Sequence, residues 1–418
     1  MVIARKTGTV IKHVAASERA AGLIMLGCAI LGLVLANMPA TSHGFEVLEQ
    51  WVLGIPGTNI QLPVGHWAQD GLLTVFFLAV GLDLKLELTG GSLANPKAAA
   101  VPMLCAVGGM MVPPVLFVSV MTIFAFAPGS QAGMVHLASG ADVPLSEAIS
   151  GWAVPTATDI AFSLAVLALF AKALPISIRA FLMTLATVDD LLAIIVIAVF
   201  FSALNSVWWF VGLVVCAVIW AFVIRMPRVP WPIAVLVGVL AWVCMLEFGV
   251  HPTLSGVVLG LLTPAQLIHG ETKPRAQRYL NGVQPWSALV ALPVFAFFAT
   301  GVRIETFSLQ LFGSPIVIAL IVALVIGKPL GILITAWIST HVGRLAMPRG
   351  VRVRDIIPTA FACGIGFTVS FLIASLAFHN PELSAESRIG VLTASLIAAV
   401  LSGILLSVQS KRIQAENE

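Results

Sequence analysis

The sequence predicts an all-α polytopic membrane protein. Of its 418 residues, 59% are hydrophobic and only 10% are charged, whereas soluble domains carry about 25% charged residues. Apolar runs of about 20 residues, the length that an α-helix needs to cross a bilayer, recur along the whole chain. These observations exclude a soluble globular fold. They favour one membrane domain over residues 1–410, followed by a polar tail at 411–418.

Twelve apolar runs are each predicted to form one transmembrane helix. They lie near residues 21–38, 68–83, 99–126, 152–170, 180–203, 206–224, 231–248, 252–268, 284–302, 315–338, 356–378 and 388–409. If the N-terminal segment 1–20 is cytoplasmic, nineteen of the 22 lysines and arginines fall on the cytoplasmic side. Because cytoplasmic loops are enriched in Lys and Arg, this distribution predicts twelve spans with both termini in the cytoplasm.

The loop at 39–66 lies outside on this topology and contains no lysine or arginine. A turn signal, Gly-Ile-Pro-Gly-Thr at 54–58, is flanked by short apolar pieces. Such a pattern is typical of a β-hairpin. A small external hairpin within 45–65 and a plain loop are both compatible with it.

Two predicted spans carry helix breaks. Pro155 interrupts the fourth span, and Gly364 and Gly366 interrupt the eleventh. Residues that precede proline are biased away from helix, although glycines in membrane helices also serve close helix packing. The two spans run in opposite directions on the predicted topology. Paired interrupted spans in two halves of a chain are typical of transporters built from inverted repeats.

Five ionisable residues lie inside or near the ends of apolar runs: Asp70, Asp159, Asp189, Asp190 and Lys328. A charge at mid-bilayer costs about 2.5–3.5 kcal/mol on insertion scales, so such residues are rare and usually line an ion or proton path. No arginine lies near these acids in the sequence. The set therefore indicates a site that binds a cation or protons, as in a transport protein.

Asp189 and Asp190 are the strongest candidates for the ion site. On a helix they are about 100° apart, so both cannot face lipid. Two carboxylates this close release their protons as a coupled pair. They can therefore exchange protons for Na⁺, which takes oxygen ligands. The alternative is a structural hydrogen bond to a helix end.

Thr158 and Asp159 follow the first break, where half-helix ends with opposite partial charges are expected to meet. A carboxylate there can offset positive N-terminal ends, and Lys328 can offset negative C-terminal ends. Lys328 can instead be the counter-ion of Asp189 or Asp190, released when protons or Na⁺ bind. A third alternative is a lysine that extends its ammonium to the interface.

Other polar residues give weaker signals. Asp83 and Glu87 at the inner end of the second span, together with Asp70, fit an ion access funnel or a solvated rim. His251 at the outer start of the eighth span fits a pH response or a structural role. The chain contains no nucleotide-binding or hydrolase motif. The five cysteines lie in apolar runs and are expected to be buried, free side chains.

Several strings resemble the NhaA-type sodium/proton antiporters, in family order over nearly the whole chain. They are VFFLAVGLDLK at 75–85, PTATDIAF at 155–162, FLMTLATVDD at 181–190, GVHPTLSG at 249–256, IGKPLGI at 326–332 and CGIGFTVS at 363–370. This family is a known example of inverted-repeat architecture.

The resemblance implies twelve helices and electrogenic exchange of two protons for one Na⁺ or Li⁺. It also implies a homodimer braced partly by an external hairpin, and activation at alkaline pH that regulates cytoplasmic pH and sodium. By matching motif, Asp189 and Asp190 form the ion- and proton-binding pair and Lys328 is the pairing lysine. Thr158 and Asp159 belong to the crossed, broken helices. The expected location is a bacterial inner membrane, with no cofactor beyond the transported ions and no nucleic-acid partner.

The chain departs from the family pattern at two places. Asp83 stands where the family has glutamate, one methylene longer. Leu280 stands where a family acid is expected. Two rival functions stay open on the residues alone, a passive cation channel and an intramembrane aspartyl protease. The protease would require aspartates from two helices and would leave Lys328 without a role.

Overall fold

A computed structural model of the protein describes residues 18–54, 57, 60–128, 132–170, 175–203, 205–303, 309–347 and 351–417. Most of the predicted cytoplasmic segment 1–20 lies outside these residues, as do the loop cations Lys172 and Arg349. Part of the predicted turn at 54–58 also lies outside them.

The described residues are mostly helical. The first half of the chain contains α1 (Glu18–Asn37), α2 (Ser42–Gln50), β1 (Val52–Gly54), β2 (Gln61–Pro63), α3 (Val64–His66), α4 (Leu73–Gly90), α5 (Pro96–Ala125), β3 (Met134–His136), β4 (Asp142–Pro144), α6 (Leu145–Ala148), α7 (Ile160–Phe170) and α8 (Ile176–Phe200). The second half contains α9 (Val207–Val223), α10 (Trp231–Phe248), α11 (Leu254–Leu262), α12 (Arg275–Trp286), α13 (Leu292–Ala299), α14 (Pro315–Ile321), α15 (Lys328–His341), α16 (Ile357–Cys363), α17 (Phe367–Ala377) and α18 (Pro381–Asn417).

Tighter and wider helical turns join several of these elements. The 3₁₀ segments are Ser92–Ala94, Ile149–Thr156, Leu309–Gly313 and Val353–Ile356, and the π segments are Trp67–Leu72, Ser287–Ala291 and Val322–Gly327. Insertions of π-helix are frequently found at functional sites. Here one contains Asp70 and another ends immediately before Lys328.

Among the described residues, seven helices are long and apolar enough to cross a bilayer, and nine spans result if each of two bent helix pairs counts as one. This confirms an all-α, multi-pass membrane protein. The helix Val207–Val223 is apolar but shorter. Every one of the twelve predicted spans overlaps helix in the structure.

The chain forms two compact units, and one of the three boundaries between them falls within α8. The first unit comprises Met1–Asn95 and Ile194–Gly301, and the second comprises Pro96–Ala193 and Val302–Glu418. In the first unit, β1 and β2 pair as an antiparallel hairpin, with Val52 opposite Pro63. In the second unit, β3 and β4 form another hairpin, with Met134 opposite Pro144.

Small residues allow close helix packing within the first unit. A Cβ added to Gly81 on α4 would lie 2.6 Å from the Val257 carbonyl oxygen of α11, and one added to Gly260 would lie 2.6 Å from the Gly81 carbonyl carbon. Neither distance is sterically possible. Glycine at both positions is therefore what lets the two backbones touch, as in small-residue seams of membrane helices.

A fully buried arginine anchors the loop before α12. Arg275 donates through Nη1 to the carbonyl oxygens of Ile224 and Met226, just past the end of α9. Its Nε donates to Glu271 Oε1 at 2.9 Å. This hydrogen bond lowers the pKa of Glu271 below its ordinary value of 4.5. From the sequence, Arg275 is expected only to be one of the positively charged residues of a cytoplasmic loop.

Four of the five cysteines are buried and Cys28 is half-buried, and all five are free thiols. This burial fits their expected role as small apolar side chains.

Candidate functional site

The first helix break lies in the second unit, between Thr156 and Ile160. The 3₁₀ segment Ile149–Thr156 contains Pro155, and the backbone then becomes extended at Ala157 before α7 begins. The helical pieces on the two sides differ in direction by 49°. The break therefore comprises residues 157–159, two to four residues after Pro155, because the 3₁₀ segment that contains the proline continues to Thr156.

The second break separates α16 from α17 and coincides with the predicted Gly364 and Gly366. The two helical pieces differ in direction by 52°. A Cβ added to Gly364 would lie 2.6 Å from the Leu324 carbonyl oxygen. Only glycine permits this approach, so the break packs directly on the helical segment that precedes Lys328.

The two breaks contact each other through their freed backbone groups. The Asp159 amide donates to the Ile365 carbonyl oxygen at 2.6 Å, and Thr158 Oγ1 donates to the Cys363 carbonyl oxygen at 2.9 Å. Ser163 Oγ donates to the Ala362 carbonyl oxygen at 2.8 Å. Helix ends leave carbonyl groups unpaired, and such groups are costly without water. Donors of the first interrupted segment thus satisfy the unpaired carbonyl groups of the second.

The carboxylate of Asp159 lies at the N-terminal ends of two half-helices. Its Oδ1 accepts the Phe162 amide of α7 at 3.0 Å. Its Oδ2 accepts the Thr368 amide at 3.2 Å and the Thr368 hydroxyl at 2.7 Å. Asp159 is buried. Because the N-terminal end of a helix carries partial positive charge, this placement stabilises the ionised carboxylate.

Lys328 and Asp189 form a buried ion pair. Lys328 Nζ donates to Asp189 Oδ2 at 2.7 Å and to the Thr156 carbonyl oxygen at the end of the first half-helix. The side chains of Lys328 and Asp189 are 0% and 1% exposed. Two of the roles left open for Lys328, counter-ion and partner of a helix C-terminus, are thus both geometrically satisfied, and an interfacial lysine is excluded.

The second oxygen of Asp189 is the unusual feature of the site. Asp189 Oδ1 is buried and has no hydrogen-bond partner among the residues that the structure describes. Asp190 is the next residue on α8 and is also buried. Buried polar atoms without partners are rare and call for an explanation. A carboxylate oxygen in this state can accept a small cation or a proton.

Four weaker candidates lie in the first unit. Asp70 Oδ1 is 3.2 Å from His251 Nε2, and His251 Nδ1 is 2.6 Å from Thr253 Oγ1. Sequence reasoning did not pair Asp70 with His251. Asp83 is exposed. Glu87 Oε2 accepts the Ser92 amide and hydroxyl, both at 2.7 Å, so it stabilises the turn after α4.

Sequence reasoning missed two partners in the second unit. Thr368 supplies two donors to Asp159, and the Thr156 carbonyl accepts Lys328. Thr368 could have been predicted as a partner, because its hydroxyl lies two residues after Gly366 of the second break. The Thr156 contact depends on backbone direction, which the sequence does not show.

These features define the class of protein. Multiple apolar helices, two interrupted segments in mutual contact and a buried Asp–Lys pair are the features of a multi-pass membrane transporter. The sequence profile of the family described as Na⁺/H⁺ antiporter 1 matches residues 12–406. The chain belongs to this family, which confirms the resemblance to NhaA-type antiporters.

Individual relatives agree with this assignment. The Na⁺/H⁺ antiporter NhaA of Bifidobacterium longum is 67% identical over 405 residues, which are 97% of this chain and 86% of the relative. The NhaA of Bifidobacterium adolescentis is 66% identical, covering 99% of this chain and 90% of the relative. That of Vibrio vulnificus is 37% identical, covering 96% of both chains.

Proposed function

We propose that the protein exchanges cytoplasmic Na⁺ for external protons at a site formed by Asp189, Asp190 and Lys328. The observation that carries this proposal is the state of Asp189. One oxygen is held by a removable cationic partner at 2.7 Å, and the other is buried without a hydrogen-bond partner in the described part of the chain. Na⁺ is a small cation that binds oxygen ligands, so it can take the place of the ammonium.

The exchange follows from competition for the two carboxylates. In the proton-loaded state, Lys328 is charged, Asp189 is ionised and Asp190 carries a proton. When Na⁺ binds between Asp189 and Asp190, Asp190 loses its proton. The displaced ammonium, now buried without a counter-ion, also loses a proton, because burial disfavours a charged lysine. Two protons leave as one Na⁺ binds, and the reverse occurs on the outer side.

This stoichiometry makes the exchange electrogenic. One net positive charge enters for each Na⁺ that leaves, and a membrane potential acts on it with about 2.3 kcal/mol per 100 mV. Such a driving force supports uphill Na⁺ extrusion. Li⁺ is a second substrate of the same oxygen site on this proposal, and exchange regulates cytoplasmic pH and sodium, with activation at alkaline pH.

The interrupted segments supply the framework of the site. On our proposal they cross near mid-bilayer, and each belongs to one of two inverted repeats within twelve spans. Asp159 offsets the N-terminal ends of α7 and α17, and the contacts of its carboxylate with both ends support this role. Thr158 ties its own segment to the second one. Because side chains of the first segment bind backbone groups of the second, the two segments can shift together.

The proposed setting is the cytoplasmic membrane of a bacterium, with both termini in the cytoplasm. We also propose a homodimer braced by the β1–β2 hairpin. Its support is the exposed apolar surface of Trp51, which directly precedes β1, and of Val52 and Leu53 within β1. Asp83, Glu87 and Asp70 remain candidates for an ion access funnel, and His251 for a pH response.

Transport against a gradient distinguishes this proposal from a passive cation channel. In proteoliposomes with equal Na⁺ on both sides, an acidic lumen should drive Na⁺ into the lumen above its external concentration. A channel would only equalise Na⁺. Absence of uphill Na⁺ movement with active, correctly folded protein would refute exchange. The protease alternative is set aside, because the family is one of transporters and Lys328 pairs with Asp189.

A further inference from the structure

The last helix, α18, holds the second interrupted segment through side chains on one face. Three polar residues recur at intervals of seven, a spacing that keeps them on the same side of a helix. The contacts are Phe367 N to Ser395 Oγ at 3.2 Å, Ser402 Oγ to Pro358 O at 2.9 Å, and Gln409 Nε2 to Asp355 O at 3.0 Å. Each contact reaches a backbone group of the interrupted segment.

Packing between these polar residues is close. A Cβ added to Gly364 would lie 3.3 Å from the Ala398 Cβ of α18. Ala398 stands between Ser395 and Ser402 on the same face, and both serines are buried. The second helix break therefore packs against α18, and one serine hydroxyl of α18 makes a contact on each side of the break.

Only the Ser395 contact lies at the N-terminal end of α17. The first amides of a helix have no partner within the helix. Here the Phe367 amide uses Ser395 Oγ, and the next amide, of Thr368, uses Asp159 Oδ2 at 3.2 Å. Of these two neighbouring amides, one thus donates to a neutral hydroxyl and the other to a carboxylate. Ser402, in contrast, contacts the first turn of α16, away from Asp159.

Asp159 connects this end of α17 to the ion pair. Its own amide donates to Ile365 within the second break. Three residues before Asp159, the Thr156 carbonyl accepts Lys328 Nζ. A displacement of the first turn of α17 would therefore displace the 156–159 segment. That segment provides the Thr156 carbonyl, one of the two contacts of Lys328.

We propose that Ser395 is a positioning residue for ion exchange. Its hydroxyl occupies the Phe367 amide and leaves the donors of Thr368 to Asp159. The inference rests on the proposed exchange at Asp189, Asp190 and Lys328. Without the hydroxyl, the buried Phe367 amide lacks an acceptor, and Asp159 is the carboxylate at the same helix end. The Phe367 amide then competes with the donors of Thr368 for the Asp159 carboxylate. This competition shifts the 156–159 segment and with it the Lys328 ammonium that the Thr156 carbonyl binds.

The test compares Ser395→Ala with the matched control Ser402→Ala. Both remove one buried serine hydroxyl from the same face of α18, so both should lower thermal stability to a similar extent. Couplings of this kind change affinities by roughly 2- to 30-fold. We expect Ser395→Ala to raise the KM for Na⁺ in proteoliposomes within that range. Ser402→Ala should keep the KM of the unmodified protein.

A second pair keeps the test decisive if Ser395→Ala does not fold. Ser395→Thr and Ser395→Val have nearly the same shape and differ in the hydroxyl. We expect Ser395→Thr to retain the KM for Na⁺ and Ser395→Val to raise it. Equal KM values for this pair, or an equal rise in Ser395→Ala and Ser402→Ala, would overturn the positioning role. If the unmodified protein does not exchange Na⁺ for protons, the proposed function itself fails.

Discussion

Replacing Lys328 with glutamine tests whether the buried lysine carries one of the exchanged protons. The glutamine amide can still donate to the Thr156 carbonyl, so the end of the first half-helix keeps a partner. It has no charge to compete with Na⁺ for Asp189, and it cannot release a proton. If Lys328 competes with the ion, Lys328→Gln should exchange one proton for one Na⁺ and become electroneutral.

The size of the effect follows from the charge moved per cycle. One net charge across 100 mV corresponds to about 2.3 kcal/mol. Since about 1.4 kcal/mol changes an equilibrium ratio tenfold, this potential supports a Na⁺ ratio of roughly 50 at equal pH. An electroneutral variant gains nothing from the potential, so its Na⁺ ratio should stay near one.

The assay uses proteoliposomes with equal pH and equal Na⁺ on both sides and an imposed inside-positive potential of about 100 mV. The unmodified protein should accumulate Na⁺ in the lumen, and Lys328→Gln should not. The variant should still accumulate Na⁺ when the lumen is made acidic, which shows that it is folded and active. Lys273→Gln, which changes an exposed lysine before α12, serves as the control and should behave like the unmodified protein.

Potential-driven accumulation by Lys328→Gln at the level of the unmodified protein would refute the competing role. Lys328 would then only offset the C-terminal end of the half-helix at Thr156, and the second proton would have to come from another group.

Four further substitutions test the carboxylates of the site and the ion pair before α12. Asp190→Asn should abolish exchange, since it removes both an ion ligand and a proton site, and Asp189→Asn should do the same; normal turnover in either variant would remove the pair from the mechanism. Asp159→Asn should retain part of the exchange rate, because an amide oxygen can still accept from one half-helix; complete inactivity would make Asp159 a direct ion ligand. The lowered pKa of Glu271 means that its contribution to stability is present above its ordinary pKa of 4.5 and is lost as pH falls through the lowered value. Glu271→Gln should therefore lower Tm at neutral pH and show a smaller decline on the acid side, and an acid-side decline unchanged from that of the unmodified protein would contradict the assignment.

Features that depend on single residues could be predicted from the sequence. Gly364 and Gly366 mark the second break, and at Gly364 glycine alone tolerates the contact with the Leu324 carbonyl oxygen. Asp189 and Lys328 stood out because a charge in an apolar run is costly unless it is paired. At the first break, Pro155 marks the region, and the exact residues follow from the 3₁₀ segment, which continues to Thr156 before α7 begins at Ile160.

Contacts between distant residues could not be predicted. Apolar membrane helices show little periodicity that tells which face is buried, so the pairing of Asp70 with His251 had no sequence signal. A π segment also ends directly before Lys328. Because such a segment adds a residue to the turn, it rotates the helix face that follows. The burial of Arg275 likewise depends on the carbonyl groups that end α9.

Proton release on Na⁺ binding shows whether Na⁺ and protons compete for one buried site. Purified protein in weakly buffered solution would be titrated with Na⁺ while the pH change and the bound Na⁺ are both measured. If they compete, we expect release of about two protons for each Na⁺ bound, and no release from Asp190→Asn. Binding of Na⁺ without proton release would contradict it.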